Sequence, residues 1–122
     1  AQKEEYVFNS NTNVSYPKSI KKWKDLVKNL VIHLIDKYGV EEVSTWYFEI
    51  WNNPDLQNIY WYETQEEFIK FFKETFKSIK EVNRNLKVGG SGCASNSLEW
   101  LEVFLNSTKE LQIDFFSFNN YL

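Results

Sequence analysis

The chain has little of what builds bound-metal and redox sites. Its 122 residues include one cysteine, Cys93, and one histidine, His33. A single thiol excludes an internal disulfide and any multi-cysteine metal site, and a single imidazole argues equally against a histidine-rich centre. No metal and no cofactor is expected. No window approaches the roughly 18 consecutive apolar residues of a membrane span, so no membrane association is expected. The opening residues AQKEEYVFNS are polar and acidic, unlike a secretory signal peptide, and the expected localisation is cytoplasmic. Net charge is -3 with the basic residues spread along helices, which argues against a nucleic-acid surface. There is no internal repeat, low-complexity run or linker.

What is abundant is aromatic side chains, at 18% of residues and including five Trp. Aromatics build cores, and they also form the platforms on which sugar rings stack; each one is read first as packing. Apolar and charged contents of 43% and 25% are ordinary for a globular domain, and the length suits one modest domain.

Along the chain, helix and strand patterns alternate. Pro17 is expected to open a helix over 17–38, with Ile20, Trp23, Val27, Leu30, Val31, Leu34 and Tyr38 as its apolar stripe and Gly39 as its stop. The face carrying Lys21, Lys22, Lys24 and Lys28 reads as solvated, and His33 as a packed scaffold residue. Residues 43–51, VSTWYFEIW, read as a strand. Thr64 and Glu67 form a capping box for a helix over 65–84, whose Phe68, Phe71, Phe72, Phe76, Ile79 and Val82 face a core. LKVGG at 86–90 is a short strand. The GGSG within 89–92 lacks the lysine and spacing of a P-loop and the pattern of a dinucleotide site. Asn96 and Glu99 are expected to cap a helix over 97–109 with Leu101, Phe104 and Leu105 inward, and 112–118 reads as a third strand. The order predicts an α/β fold of three parallel strands alternating with helices.

Three strand ends read Asn52-Asn53, Gly89-Gly90 and Asn119-Asn120-Tyr121. All are polar or small. Such ends suit a shared ligand face, because functional side chains of (β/α)8 barrels sit at the carboxyl ends of strands. Amides both donate to and accept from hydroxyl groups, and Trp51 offers an apolar face to a ring. The plainer alternative is that Asn, Pro and Asp simply end strands in turns.

WYFEIWNNPDL, residues 46–56, resembles the strand-four signature of glycoside hydrolase family 39, the β-xylosidase and α-iduronidase family of (β/α)8 barrels. YPKSIKKWKDLVKNLVIHLIDKYG resembles that family's preceding helix, LKVGGSG its strand five and IDFFSFNNY its strand six, so the resemblance covers nearly the whole chain. It implies a TIM-barrel segment, residues 1–122 forming one partial domain of a longer protein. It also implies that Asn52 bonds a sugar hydroxyl, that Asn53 stands where the family has its acid/base glutamate, that Asn119 takes a histidine's place, and that Tyr121 matches. Trp51, Asn52, Asn53, Asn119 and Tyr121 are thus the expected binding residues for a pentose or xylo-oligosaccharide, with no catalytic residue. The nucleophile glutamate of the family lies on strand seven, beyond Leu122, and Glu49 is expected to be buried along its strand rather than at its mouth. No glycosidase turnover by this chain follows. Similar barrels occur in AraC-type transcription regulators, and a non-catalytic carbohydrate-sensing or structural part of such a regulator is the leading expectation. A segment of a β-xylosidase-like hydrolase with an altered acid/base position is the alternative, and an α/β interaction domain without sugar binding a third. An incomplete sheet also leaves edges and one face open, with Phe48, Ile50, Val88, Phe115 and Phe118 as candidates for either face, to be covered by the rest of the barrel or by a second copy.

Overall fold

The computed structural model describes residues 13–94 and 97–120, in the order α1 (Ile20–Tyr38), α2 (Val40–Val43), β1 (Tyr47–Glu49), α3 (Gln65–Val82), β2 (Lys87–Gly89) and α4 (Leu98–Thr108). The parallel α/β architecture predicted from the alternation is present.

Each long helix starts where a hydroxyl satisfies a free backbone N–H. Ser19, rather than Pro17, caps α1 by accepting from the Lys22 N–H at 3.3 Å, so the proline lies just ahead of the helix. Gly39, at φ 85, ends it. Thr64 caps α3 through the Glu67 N–H. Ser97 caps α4 through the Trp100 N–H; Asn96, the expected cap, lies outside the described residues.

The expected strand at 43–51 is much shorter. Val43 belongs to the single turn α2, closed by Val43 N–H to Gly39 O and Ser44 N–H to Val40 O, and it is fully buried. Burial in that turn overrides its β preference. Two further turn bonds, from Thr45 N–H and Trp46 N–H, delay the strand until Tyr47.

The core forms around α3. Phe68, Phe71, Phe72, Phe76 and Ile79 are buried between α1, α4 and the sheet, with Trp61 and Phe104 edge-packed against them and Trp100 tilted over Phe68 and stacked on Phe104. Each such side chain contributes about 1.5–3 kcal/mol by leaving water. Trp23 Nε1 donates to Thr75 Oγ1 at 2.9 Å, and Lys24 meets Glu74 at 2.7 Å, while Lys28 pairs with Glu81. The lysine face is therefore partly engaged with α3 rather than only solvated. Leu30 and Tyr38 of the expected stripe are exposed, as is Leu105 of α4, and His33, expected to be packed, is exposed too.

β1 and β2 are parallel, with Tyr47 opposite Lys87, Phe48 opposite Val88 and Glu49 opposite Gly89. The expected third strand forms no continuous ladder: it pairs in parallel with β2 only at Gly89 with Phe115, and with the segment after β2 at Cys93 with Phe118. Side chains take the place of ladder groups: Asp114 Oδ2 accepts from the Val88 N–H at 2.8 Å, and Ser117 Oγ from the Gly92 N–H at 2.7 Å. Val88 and Ile50 are buried on the helix side and do not belong to an open face. The opposite face carries Tyr47, 65% exposed, and Glu49, which is also exposed.

Candidate functional site at the strand ends

The backbone leaving β1 turns sharply. Trp51 has φ 68 and Asn53 φ 51, in the left-handed region. Asparagine visits that region readily, whereas a tryptophan there is a genuine outlier of the kind that clusters at functional sites. Trp51 is held by packing: its ring meets Trp61 at 5.4 Å and Phe71 at 5.6 Å edge-on, and its Nε1 donates to Tyr60 O at 3.0 Å.

Asn52, Asn53 and Asn119 converge. Asn119 Nδ2 donates to Asn52 Oδ1 at 2.8 Å, to Asn53 Oδ1 at 2.7 Å and to Gly92 O at 2.7 Å. The Asn119 backbone is fixed too, its N–H donating to Cys93 O at 2.8 Å, and Asn53 N–H donates to Gly92 O at 3.1 Å. Asn53 is fully buried and Asn52 is exposed. Three residues distant in sequence thus form one amide cluster at the strand ends. Tyr121, the remaining expected member, lies outside the described residues.

Beside the cluster is a cavity of about 510 Å³ lined by Val14, Glu49, Trp51, Asn52, Ile59 and Tyr60. Trp51 and Asn52 line it, while the buried Asn53 does not. Glu49 corrects an expectation: its side chain is exposed and reaches the strand mouth, where Oε1 accepts from Ser117 Oγ at 2.5 Å. A carboxylate embedded in an aromatic run reads as buried, but period-two alternation places Glu49 on the same face as the exposed Tyr47. The same alternation, counted back from Asn119, was the available signal for Ser117. Gly92 allows the close approach: a Cβ there would stand 2.6 Å from Glu49 Oε1 and 2.9 Å from Asn52 Oδ1. Next to the cluster, burial and the nearby charges of Asp55 and Glu49 push the Cys93 thiol up to about 12, so it is held neutral. Among the described residues, no group of three or more His, Cys, Asp or Glu side chains could hold a metal ion.

The model of glycosyl hydrolases family 39 matches residues 1–122. The chain belongs to that family. It is 37% identical over 123 residues to a β-xylosidase of Geobacillus stearothermophilus, covering 99% of this chain and 24% of that protein. A β-xylosidase of Caldicellulosiruptor saccharolyticus is 38% identical over 117 residues, covering 94% of this chain and 24% of the relative. Among solved structures, a monomeric β-xylosidase from Caulobacter crescentus CB15 superposes with a TM-score of 0.84 at 34% identity, over 98% of this chain and 24% of that one. The chain therefore spans about a quarter of the length of these family-39 relatives. Its fold is that of a segment of their barrel. No helix among the described residues is long and apolar enough to cross a membrane.

Proposed function

We propose that this family-39 chain is the sugar-contacting segment of a β-xylosidase-like barrel, binding a pentose or short xylo-oligosaccharide without supplying an acid to cleave it. The observation that carries the proposal is the convergence of Asn52, Asn53 and Asn119 beside the cavity that Trp51 lines. Amides match the mixed donor and acceptor character of sugar hydroxyls. Asn53 stands at the position that the resemblance gives to the acid/base glutamate, and an amide has no proton to give a leaving oxygen. Retaining hydrolysis also requires two carboxyl groups about 5–5.5 Å apart. Glu49 is the one carboxylate lining this cavity among the described residues, and it is tied to Ser117. The relatives' names, both β-xylosidases, favour a hydrolase-derived barrel over the AraC-type regulator expected first. In this reading the exposed face around Tyr47 is covered by the rest of the barrel, and the setting is cytoplasmic, with which an unpaired buried thiol is compatible.

Titrating xylose and xylobiose against the 15N-labelled chain tests the binding half. The Asn52 side-chain amide and the Trp51 indole signal are expected to shift saturably, and unmoved signals at high sugar concentration would reject it. An aryl β-xyloside assay tests the other half, with no release expected above the blank. Release that follows the chain through a second purification would overturn it.

A further inference from the structure

Asn119 sits where three carbonyl oxygens meet, and the arrangement has a direction. Its Nδ2 is 2.7 Å from Gly92 O, 2.7 Å from Asn53 Oδ1 and 2.8 Å from Asn52 Oδ1. An amide nitrogen carries two hydrogens, so one of them is shared between two acceptors. Gly92 O belongs to the backbone and can only accept. That carbonyl therefore decides which end of the Asn119 amide points inward. Turning the amide over would set Asn119 Oδ1 against Gly92 O with no hydrogen between them, at the cost of a like-dipole contact. With the nitrogen of Asn119 fixed, Asn52 and Asn53 must each present an oxygen to it.

We infer that Asn119 is a positioning residue that sets the polarity of the site: it holds Asn52 with its oxygen inward and both N–H donors turned to the cavity. Asn52 is exposed and lines that cavity, so its donors are accessible there. On the same cavity Glu49 supplies only acceptors, one oxygen being engaged by Ser117. The site thus offers a donor group and an acceptor group side by side. A ligand complementary to it brings an oxygen acceptor to Asn52 and a hydroxyl donor to Glu49, as neighbouring hydroxyls of a polyol do. The ligand half rests on the sugar-binding proposal above; the polarity does not.

The test begins without sugar, on the 15N-labelled chain. In Asn119→Asp the central group becomes an acceptor, so Asn52 and Asn53 are expected to reverse and donate to it. Hydrogen exchange of the Asn52 Nδ2 protons should slow about fivefold to tenfold, the scale of one net hydrogen bond. Unchanged Asn52 exchange in a variant with a native backbone spectrum would overturn the inference. Asn52→Asp is the second variant, informative even if the first does not fold. It keeps an oxygen facing Asn119, so the Asn119 side-chain protons should stay protected and move downfield as they donate to a carboxylate. Loss of their protection would show that Asn52 had been presenting its nitrogen, and the inference would fail. Xylobiose is then added to the unaltered chain. The expected amide polarity without xylobiose shifts would sink the sugar proposal alone, whereas shifts with the opposite polarity would sink this one alone.

Discussion

Ser117 Oγ donates to Glu49 Oε1 at 2.5 Å and accepts from Gly92 N–H at 2.7 Å, so one hydroxyl joins residues 68 apart in the chain. Ser117→Ala removes a hydrogen bond to a carboxylate and leaves the Gly92 N–H without that partner. A loss of about 1–3 kcal/mol is expected. In urea it should appear as a lower midpoint with an unchanged slope. No change in midpoint would mean that water replaces the hydroxyl fully.

At Gly89, β2 lies tight against the segment that follows α4. A Cβ added there would lie 2.1 Å from Phe115 O and 3.0 Å from Phe115 C, both backbone atoms. Gly89→Ala must therefore part the two segments, and a cost of at least about 1–3 kcal/mol is expected. The Gly90 N–H, which donates to Phe115 O at 3.3 Å, should exchange faster with solvent than in the unaltered chain. Wild-type exchange there would contradict the geometry.

Phe68 is fully buried, with the rings of Trp61, Phe71, Phe72, Trp100 and Phe104 around it. Phe68→Ala should cost about 3–5 kcal/mol through lost transfer energy and the remaining cavity. Against a typical total of about 5–15 kcal/mol, that is enough to threaten folding. Near-ultraviolet circular dichroism and thermal melting would both register it, and a cost under about 1 kcal/mol would mean that the ring cluster collapses into the gap.

The raised Cys93 thiol makes a prediction with a definite sign. Its folded value is about 12 against an ordinary 9.0. As pH rises the unfolded chain loses this proton first, so the contribution is fully present below about 9 and is lost from there toward 12. Melting temperature should therefore fall less steeply above pH 9 in Cys93→Ala than in the unaltered chain. Native Cys93 should also react with iodoacetamide far more slowly than the urea-unfolded chain, since the thiolate is the nucleophile. Equal rates would refute the burial argument.

How much of this could be read from the sequence differs by element. The phenylalanine face of α3 is written in three- and four-residue spacing, and the helix follows it within two residues at either end. The paired asparagines announce polar strand ends, and their meeting with Asn119 follows once the segments lie side by side. Where local pattern and tertiary structure disagree, a local bond or a distant partner decides. Val43 reads as strand and joins a turn because its amide finds Gly39 O. Residues 112–118 read as a full strand, but Asp114 and Ser117 spend their side chains on the N–H groups of Val88 and Gly92. Leu30 and His33 fall on or near an apolar stripe that is wider than the surface α3 covers. Glu49 shows the general difficulty: alternation gives its face, while the presence of a cavity beside that face depends on Val14, Ile59 and Tyr60, which no local pattern places there.

The left-handed backbone at Trp51 and Asn53 bears on how this site can drift under mutation. Neighbours in an extended strand face opposite sides of the sheet, yet Asn52 and Asn53 both reach Asn119. The two amides are delivered by a twist in the main chain as much as by their own identity. A β-branched residue at position 51 would resist that twist and unseat both asparagines without touching any ligand. Glycine at 51 would accept the twist readily, but would remove the indole that holds it against Trp61 and Phe71. Position 51 thus carries two separate structural constraints, one for a ring and one for a backbone angle, and few residues meet both. Substitutions lost from a mutational library at Trp51 should sort by backbone tolerance as well as by hydrophobicity, a signature that a site built on regular alternation would not leave.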